Sequence, residues 1–278
     1  MNTANKTVLI TGCSSGIGQA AAAHFAKQGW NVVATMRNPQ AGAELAKLPN
    51  VRVMALDVTS RASAEQAVQV ALAEFGRIDV LVNNAGYGVF GPFETASEEV
   101  IDKQFQTNVN GIFNVTRAVL PAMRAQHAGV IINVSSIGGL SAFPLFSLYH
   151  ATKFAVVGFS ESLQYELAPF GINVKVIAPG GVKTDFSSRS LVHTYDNEEH
   201  PYADTVTKVQ QAFEVRRSSG EYSSSEMLAE AIFGAATDDT DRLRYVVGPD
   251  AEQIVAARKQ MTDEAFTAMV SQRLGLAA

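Results

Sequence analysis

Tyr149 and Lys153 stand four residues apart in Tyr149-His150-Ala151-Thr152-Lys153, and Ser136 closes the run Ile131-Ile132-Asn133-Val134-Ser135-Ser136 thirteen positions before Tyr149. If the later stretch is a helix, a spacing of four puts a phenol and an ammonium on one face. A free phenol titrates near pH ~10, and bringing it to about 7 takes roughly 4 kcal/mol of preference for phenolate, at about 1.36 kcal/mol per unit. An adjacent Lys153 cation supplies part of that preference. Tyr149 is then suited to give or take a proton near neutral pH, and the hydroxyl of Ser136, at the carboxyl end of a buried strand, can hydrogen-bond a substrate oxygen. Alone the pair is weak, because Y-x-x-x-K also arises by chance on a helix surface.

Three kinds of element are needed to hold those groups together. The spacing predicts a helix capped by Ser147, running to about Phe170 and stopped by Gly171. Near the N-terminus, Thr7-Val8-Leu9-Ile10 reads as a strand. It runs into Thr11-Gly12-Cys13-Ser14-Ser15-Gly16-Ile17-Gly18 and an Ala-rich helix from Gln19 to Gln28. A strand, a glycine turn and a helix let backbone approach a phosphate, with the positive end of the helix aimed at it. No Gly-Lys-Ser/Thr follows, so this is not a P-loop. Further strands are expected at Trp30–Thr35, Val51–Leu56, Ile78–Val82, Asn173–Ile177 and Tyr245–Gly248. A helix is expected from Ser60 to Phe75, stopping at Gly76, and a capping box at Thr95-Ala96-Ser97-Glu98 opens the helix that carries Asn108. Asn108 and Gly111 lower the propensity of that helix, which suggests a bend or an exposed carbonyl; close packing explains Gly111 equally well. The alternation of strand and helix predicts one α/β domain over 1–278, a doubly wound Rossmann fold with about seven parallel strands.

The strand ends carry the remaining candidates. The end of the second strand is where such a fold senses the adenosine ribose, and an acid there favours a 2′-hydroxyl. Here the order is Thr35, Met36, Arg37. Arg37 offers a charged fork suited to a 2′-phosphate, pointing to NADP(H) over NAD(H), unless it is only a surface arginine before Asn38-Pro39. Asp57, beside Val58, accepts from an adenine amino group or else helps start the next helix. Asn83-Asn84-Ala85-Gly86 permits close backbone contact with a ligand. Pro179-Gly180-Gly181-Val182-Lys183-Thr184 can frame a nicotinamide. The segment 186–222 is expected to be a lid, with a helix at about Asp204–Arg217, and 251–278 a helical tail.

Composition narrows the classes. The chain has 278 residues, 47% hydrophobic and 18% charged, which describes a globular protein. A formal net charge of −5 provides no global field for nucleic acid or anionic membrane. The single cysteine, Cys13, excludes an intrachain disulfide and fits a reducing compartment. Neither a signal peptide nor an apolar run of the ~18 residues a membrane helix needs is present, so a cytoplasmic protein is expected. The five histidines, His24, His127, His150, His193 and His200, show no metal-ligand spacing, and no metal is expected. His150 faces away from Tyr149 on a helix and reads as structural.

Taken together, these residues resemble the short-chain dehydrogenase/reductase family in its compact single-domain form. Thr11 to Gly18 is similar to its TGxxxGIG turn, Asn83 to Gly86 to its NNAG, and Pro179-Gly180 to its PG motif. Asn108, Ser136, Tyr149 and Lys153 match its tetrad in order and spacing. The resemblance implies hydride transfer at a carbonyl or secondary alcohol, with Tyr149 as acid/base and Ser136 orienting the oxygen. Lys153 would tune Tyr149 and hold the nicotinamide ribose, and Asn108 would hold a water relaying protons from Lys153. Gly12, Ser14, Ser15, Gly16, Ile17, Gly18, Arg37, Asp57, Val58, Asn84, Ala85, Gly86, Pro179, Gly180, Val182 and Thr184 would line the cofactor. The Met36-Arg37 pair resembles NADP(H)-preferring members, and the family commonly forms homodimers or homotetramers through the helices bearing Asn108 and Tyr149. Phe90, Phe93, Leu140, Phe143, Leu145, Phe146 and Phe186 point to a largely apolar small-molecule substrate. The competing class is a non-enzymatic NADP(H) sensor on the same fold, against which an intact Ser136, Tyr149 and Lys153 speaks.

Overall fold

The computed structural model describes residues 5–183, 190–195, 200–218 and 222–276. The first strands are β1 (Thr7–Thr11), β2 (Asn31–Met36), β3 (Val51–Ala55) and β4 (Val80–Asn83), joined by helices α1 (Gly16–Lys27) and α2 (Arg61–Phe75). After a short strand β5 (Gly88–Phe90) come α3 (Glu98–Phe105), a π-helical turn at Gln106–Asn110, and α4 (Gly111–Gln126). Strand β6 (Gly129–Val134), α5 (Ser147–Leu167) and β7 (Ile172–Pro179) complete the centre. They are followed by β8 (Leu191–His193), α6 (Ala203–Ser218), α7 (Ser225–Thr237), β9 (Arg244–Val247), α8 (Pro249–Gln260) and α9 (Asp263–Arg273).

Seven strands form one parallel sheet in the order β3-β2-β1-β4-β6-β7-β9. Side chains on a strand alternate between faces. Val8 and Ile10 therefore pack with Phe25 of α1 and Ile232 of α7 on one side, whereas Leu9 between them packs with Val68 of α2, Val119 of α4 and Leu163 of α5 on the other. Burying each of these large side chains contributes roughly 1.5–3 kcal/mol. The chain leaves β1 outward to β3 and returns to β4, so the order reverses between β1 and β4. At such a switch point the loops diverge and leave a crevice beyond the carboxyl ends of the strands.

Local rules account for most boundaries. Ser60 accepts from the Ser63 amide at 3.2 Å, and Gly76 closes α2 with a left-handed φ of 74°. Elsewhere the structure corrects the expectation. Ser147 is the first residue inside α5 and caps nothing; Phe146 precedes it without a side-chain cap, and the helix tightens to a 3-10 turn at Ala168–Phe170 before Gly171. The capping box at Thr95 is displaced: Ser97 caps α3, with Glu98 as its first residue, while the Thr95 hydroxyl donates to Pro92 O. The C-terminal tail is two helices, because Thr262 breaks it by capping α9 through the Ala265 amide. Within the expected lid, β8 pairs in parallel with β5 and α6 matches the expected helix; Thr184, Phe186 and Asn197-Glu198-Glu199 lie outside the described residues.

Candidate active site

Tyr149, Lys153 and Ser136 converge at the carboxyl end of β6. Lys153 and Tyr149 lie one turn apart on α5, with the Lys153 ammonium 5.6 Å from the phenol ring centroid. Its Nζ donates to Val134 O, the last carbonyl of β6, at 2.9 Å, which ties the helix to the strand that leads into Ser136. The Ser136 Oγ accepts from the Gly138 amide at 3.0 Å. Its own proton is then free for the phenol oxygen, to which it is hydrogen-bonded. Burial dominates the electrostatics here. It pushes the Tyr149 phenol up to about 12, with Ser136 pulling the other way, and draws the Lys153 ammonium down to about 8. Burial thus opposes the lowering expected from Lys153 and leaves the phenol desolvated and protonated.

Asn108 is buried in the π-helical turn, where an extra residue per turn swings its side chain toward α5. Its amide donates to Tyr87 O at 2.8 Å and to Thr152 Oγ1 at 3.1 Å, and its Oδ1 accepts from the Tyr87 amide at 3.1 Å. Gly86 lies close by: a Cβ there would stand 3.2 Å from Asn108 Oδ1 and 3.8 Å from Lys153 Nζ. Both explanations offered for Asn108 and Gly111 hold at once, since the helix is distorted and a Cβ on Gly111 would meet Val58 at 2.8 Å.

The glycine turn is built to leave amides open. Gly12 and Gly16 have φ of 75° and 57°, values that favour glycine. A Cβ on Gly18 would lie 2.4 Å from Gly12 O and 2.5 Å from Asn84 Nδ2, so the turn folds back on its own helix. Ser15, at the N-cap of α1, makes no side-chain cap bond, and no acid sits in the first turn. α2, α3, α7 and α9, by contrast, are each capped by a Ser or Thr hydroxyl. Uncapped amides at a positive helix end fit a pyrophosphate. Ser14 and Ile17 are half-buried beside them.

Thr11, part of the turn motif but given no role from sequence, joins this turn to the next: its Oγ1 accepts from both the Asn84 and Ala85 amides at 3.0 Å, and Asn84 Nδ2 donates to Thr11 O. At the end of β2, Arg37 is exposed and has no ion-pair partner among the described residues. Asp57 Oδ1 accepts from the amide and hydroxyl of Thr59, while Ser60 caps α2, so Asp57 shapes the entry turn rather than the helix end. Val58 is buried, and its carbonyl accepts from Asn114.

Beyond β7, Gly180 donates to Val247 O and Gly181 to Asp250 Oδ2 at 2.7 Å. Val182 bridges to Ser223, so the two ends of the lid meet beside the Pro179-Gly180 turn. Asp250, also unforeseen, is fully buried, takes an ion pair from Arg216 of α6 at 3.3 Å, and packs so closely that a Cβ on Gly180 would lie 2.0 Å from its Oδ1.

Beside Tyr149 is an apolar wall. Phe146 packs edge-on to Tyr149, Phe90 and Phe213 at centroid distances of 6.1, 5.1 and 5.8 Å. Val206 and Val209 of α6 and Leu276 of the tail join the same cluster. Of the expected apolar residues, Leu145 joins it too, whereas Phe143 packs with the tail helices and Phe93 is 61% exposed. His150 lies beneath, its Nδ1 2.9 Å from Gly138 O and its Nε2 accepting from the Phe143 amide at 3.0 Å. Among the described residues no three His, Cys, Asp or Glu side chains group as metal ligands, and no helix is long and apolar enough to cross a membrane.

Comparison with known proteins gives one family. Residues 6–195 match the family model described as short chain dehydrogenase. An uncharacterized oxidoreductase of Schizosaccharomyces pombe is 41% identical, covering 87% of this chain and 100% of its own length. A 3-ketodihydrosphingosine reductase of Bacteroides thetaiotaomicron is 37% identical over 91% of each chain. Among solved structures, a short-chain dehydrogenase from Streptomyces avermitilis is 33% identical with a TM-score of 0.85, covering 99% of this chain and 98% of that one. ElxO with NADP bound (29% identity, TM-score 0.71, 87% and 97% covered) and a Brucella melitensis 3-ketoacyl-(acyl-carrier-protein) reductase complexed with NADH (29%, 0.73, 87% and 96%) share the fold.

Proposed function

The chain belongs to the short-chain dehydrogenase family and is an oxidoreductase that uses a nicotinamide cofactor, and from that premise we propose that it is an NADP(H)-dependent reductase of a ketone or aldehyde on a largely apolar small molecule. The observation that carries this is the joining of a neutral, half-buried Tyr149 phenol to Ser136, with the Lys153 ammonium over the same ring. A bound nicotinamide supplies the hydride. Ser136 and Tyr149 hold the substrate oxygen by hydrogen bonds, and Tyr149 gives it the proton as charge develops there. Burial keeps the phenol protonated, so the proton is in place when the substrate oxygen takes it. Lys153 keeps a cation beside the phenolate left behind and, through Val134 O, holds the helix to the strand. Both amide protons of Asn108 are already used, so any water that it holds for proton relay donates to its Oδ1 or to the π-turn backbone. The cluster of Phe90, Phe146, Val209 and Phe213 favours hydrocarbon, as does the relative named for 3-ketodihydrosphingosine. Phe154 and Tyr165, 46% and 79% exposed on α5, suit a homodimer or homotetramer contact.

The exposed guanidinium of Arg37 supports the choice of phosphate-bearing cofactor. Charge-assisted hydrogen bonds contribute about 1.5–3 kcal/mol, so Arg37→Ala is expected to weaken NADPH binding by about 10- to 100-fold and leave NADH binding unchanged in a fluorescence titration. Equal wild-type affinity for the two cofactors would overturn NADP(H) preference. Activity confined to small charged carbonyl compounds in a substrate panel would overturn the apolar reading.

A further inference from the structure

We propose that His150 is a positioning residue for Ser136, holding the serine loop to the same helix that carries Tyr149. The loop needs such a support. Between the end of β6 at Val134 and the start of α5 at Ser147, its regular structure is the three-residue 3-10 turn Ile137–Gly139. Two of its peptide groups, the carbonyl of Gly138 and the amide of Phe143, point at one buried imidazole. Buried peptide groups require partners, and a single ring here serves one of each kind. The ring's tautomer follows: Nε2 accepts from the Phe143 amide, so Nδ1 carries the proton and donates to Gly138 O.

This matters for the reaction because Gly138 also holds Ser136, its amide donating to Ser136 Oγ at 3.0 Å. The same residue thus receives from His150 at its carbonyl and gives to Ser136 at its amide. The separation of the serine hydroxyl and the tyrosine phenol is thereby set through the residue next to Tyr149 in sequence. The fit is tight, since a Cβ on Gly138 would lie 2.4 Å from His150 Nδ1. Phe146 and Phe143 pack against the ring at 5.9 and 5.8 Å and keep water from replacing it.

The proposal rests on the reading of Ser136 above and is tested by a double-mutant cycle on the full chain with NADPH and an aliphatic ketone. Misplacing a reacting group by about an ångström costs on the order of 10²-fold. His150→Ala is expected to lower kcat by about 10- to 100-fold, with NADPH affinity unchanged. If His150 acts through Ser136, the double variant with Ser136→Ala has the kcat of Ser136→Ala alone. His150→Asn, whose amide can still donate to Gly138 O, is expected to recover most of the loss; His150→Leu, which keeps bulk and lacks both ring nitrogens, is expected to show the alanine variant's loss and carries the test if that variant does not fold. Multiplying losses in the double variant, an equal loss of NADPH affinity, or no kcat loss on replacing His150 by Ala or Leu would overturn the proposal. An unchanged kcat in Ser136→Ala would overturn the role given to Ser136 and this inference with it, an outcome distinct from the failure of His150 alone.

Discussion

Tyr149→Phe is expected to lower kcat for ketone reduction by about 10²–10⁴-fold, the range for removing a positioned general acid, with NADPH affinity little changed. The ring would survive the substitution. Its packing against Phe146 and its place under the Lys153 ammonium involve carbon atoms that phenylalanine retains. What goes is the hydroxyl shared with Ser136, and with it the proton for the developing alkoxide. Steady-state kinetics with a parallel cofactor titration separates the two effects. A variant that loses cofactor binding as well would assign Tyr149 to the binding surface; one that keeps turnover would show that the proton comes from another group.

The second large effect concerns stability, far from the reacting groups. Lys175 is fully buried in β7, donates to Tyr245 OH at 3.2 Å and forms an ion pair with Asp238. Asp238 also accepts from the Tyr245 hydroxyl at 2.5 Å and from the Thr240 amide at 3.1 Å. Desolvation pushes this carboxyl up, but the hydrogen bonds from Lys175, Tyr245 and Thr240 outweigh it and hold the group well below the usual carboxylate range. Removing one partner of a buried pair leaves an uncompensated charge and costs about 3–5 kcal/mol. Because Asp238 is 30% exposed, Asp238→Ala is expected near the lower end of that range in denaturant unfolding.

Replacing both members by apolar residues, Lys175→Met with Asp238→Ala, is expected to recover most of the loss. The pH dependence follows in sign. A folded value below the unfolded one means the unfolded chain takes up the proton first. The contribution of Asp238 is therefore complete above the ordinary value of 3.8 and drains away as pH falls below it. A wild-type acid limb no steeper than that of the variant would contradict this.

What could be seen in the sequence was what depends on near neighbours. Ser60 caps α2 three residues away and Gly76 stops it, both through backbone within a turn, and the strands showed as apolar runs. Tyr149 and Lys153 were legible because one helix fixes their relation. The misses are of two kinds. Ser147 and Thr95 are hydroxyls in cap-like places that lost to competing geometry, the first inside its helix and the second bonded back to Pro92. The others are long-range. Asp250 meets Gly181 across 69 positions, Lys175 meets Asp238 across 63, and Thr11 meets Asn84 across 73. Periodicity carries no information about such pairs. Tyr149 illustrates the same limit: the neighbouring cation was visible in sequence, but the desolvation that sets the direction of its shift was not.

Cys13 sits inside the glycine turn, completely buried, with its sulfur donating to Ile10 O at 3.2 Å and burial pushing the thiol up to about 12. As the only cysteine in the chain, it is a built-in stopwatch. A thiol that is neither ionised nor accessible reacts with an alkylating reagent only during excursions that lift the turn away from β1. Adduct formation, read by intact mass, then counts those excursions, and dinucleotide binding is expected to lengthen the interval between them. Labelling at the rate of a free thiol, with or without NADPH, would show that the turn stands open.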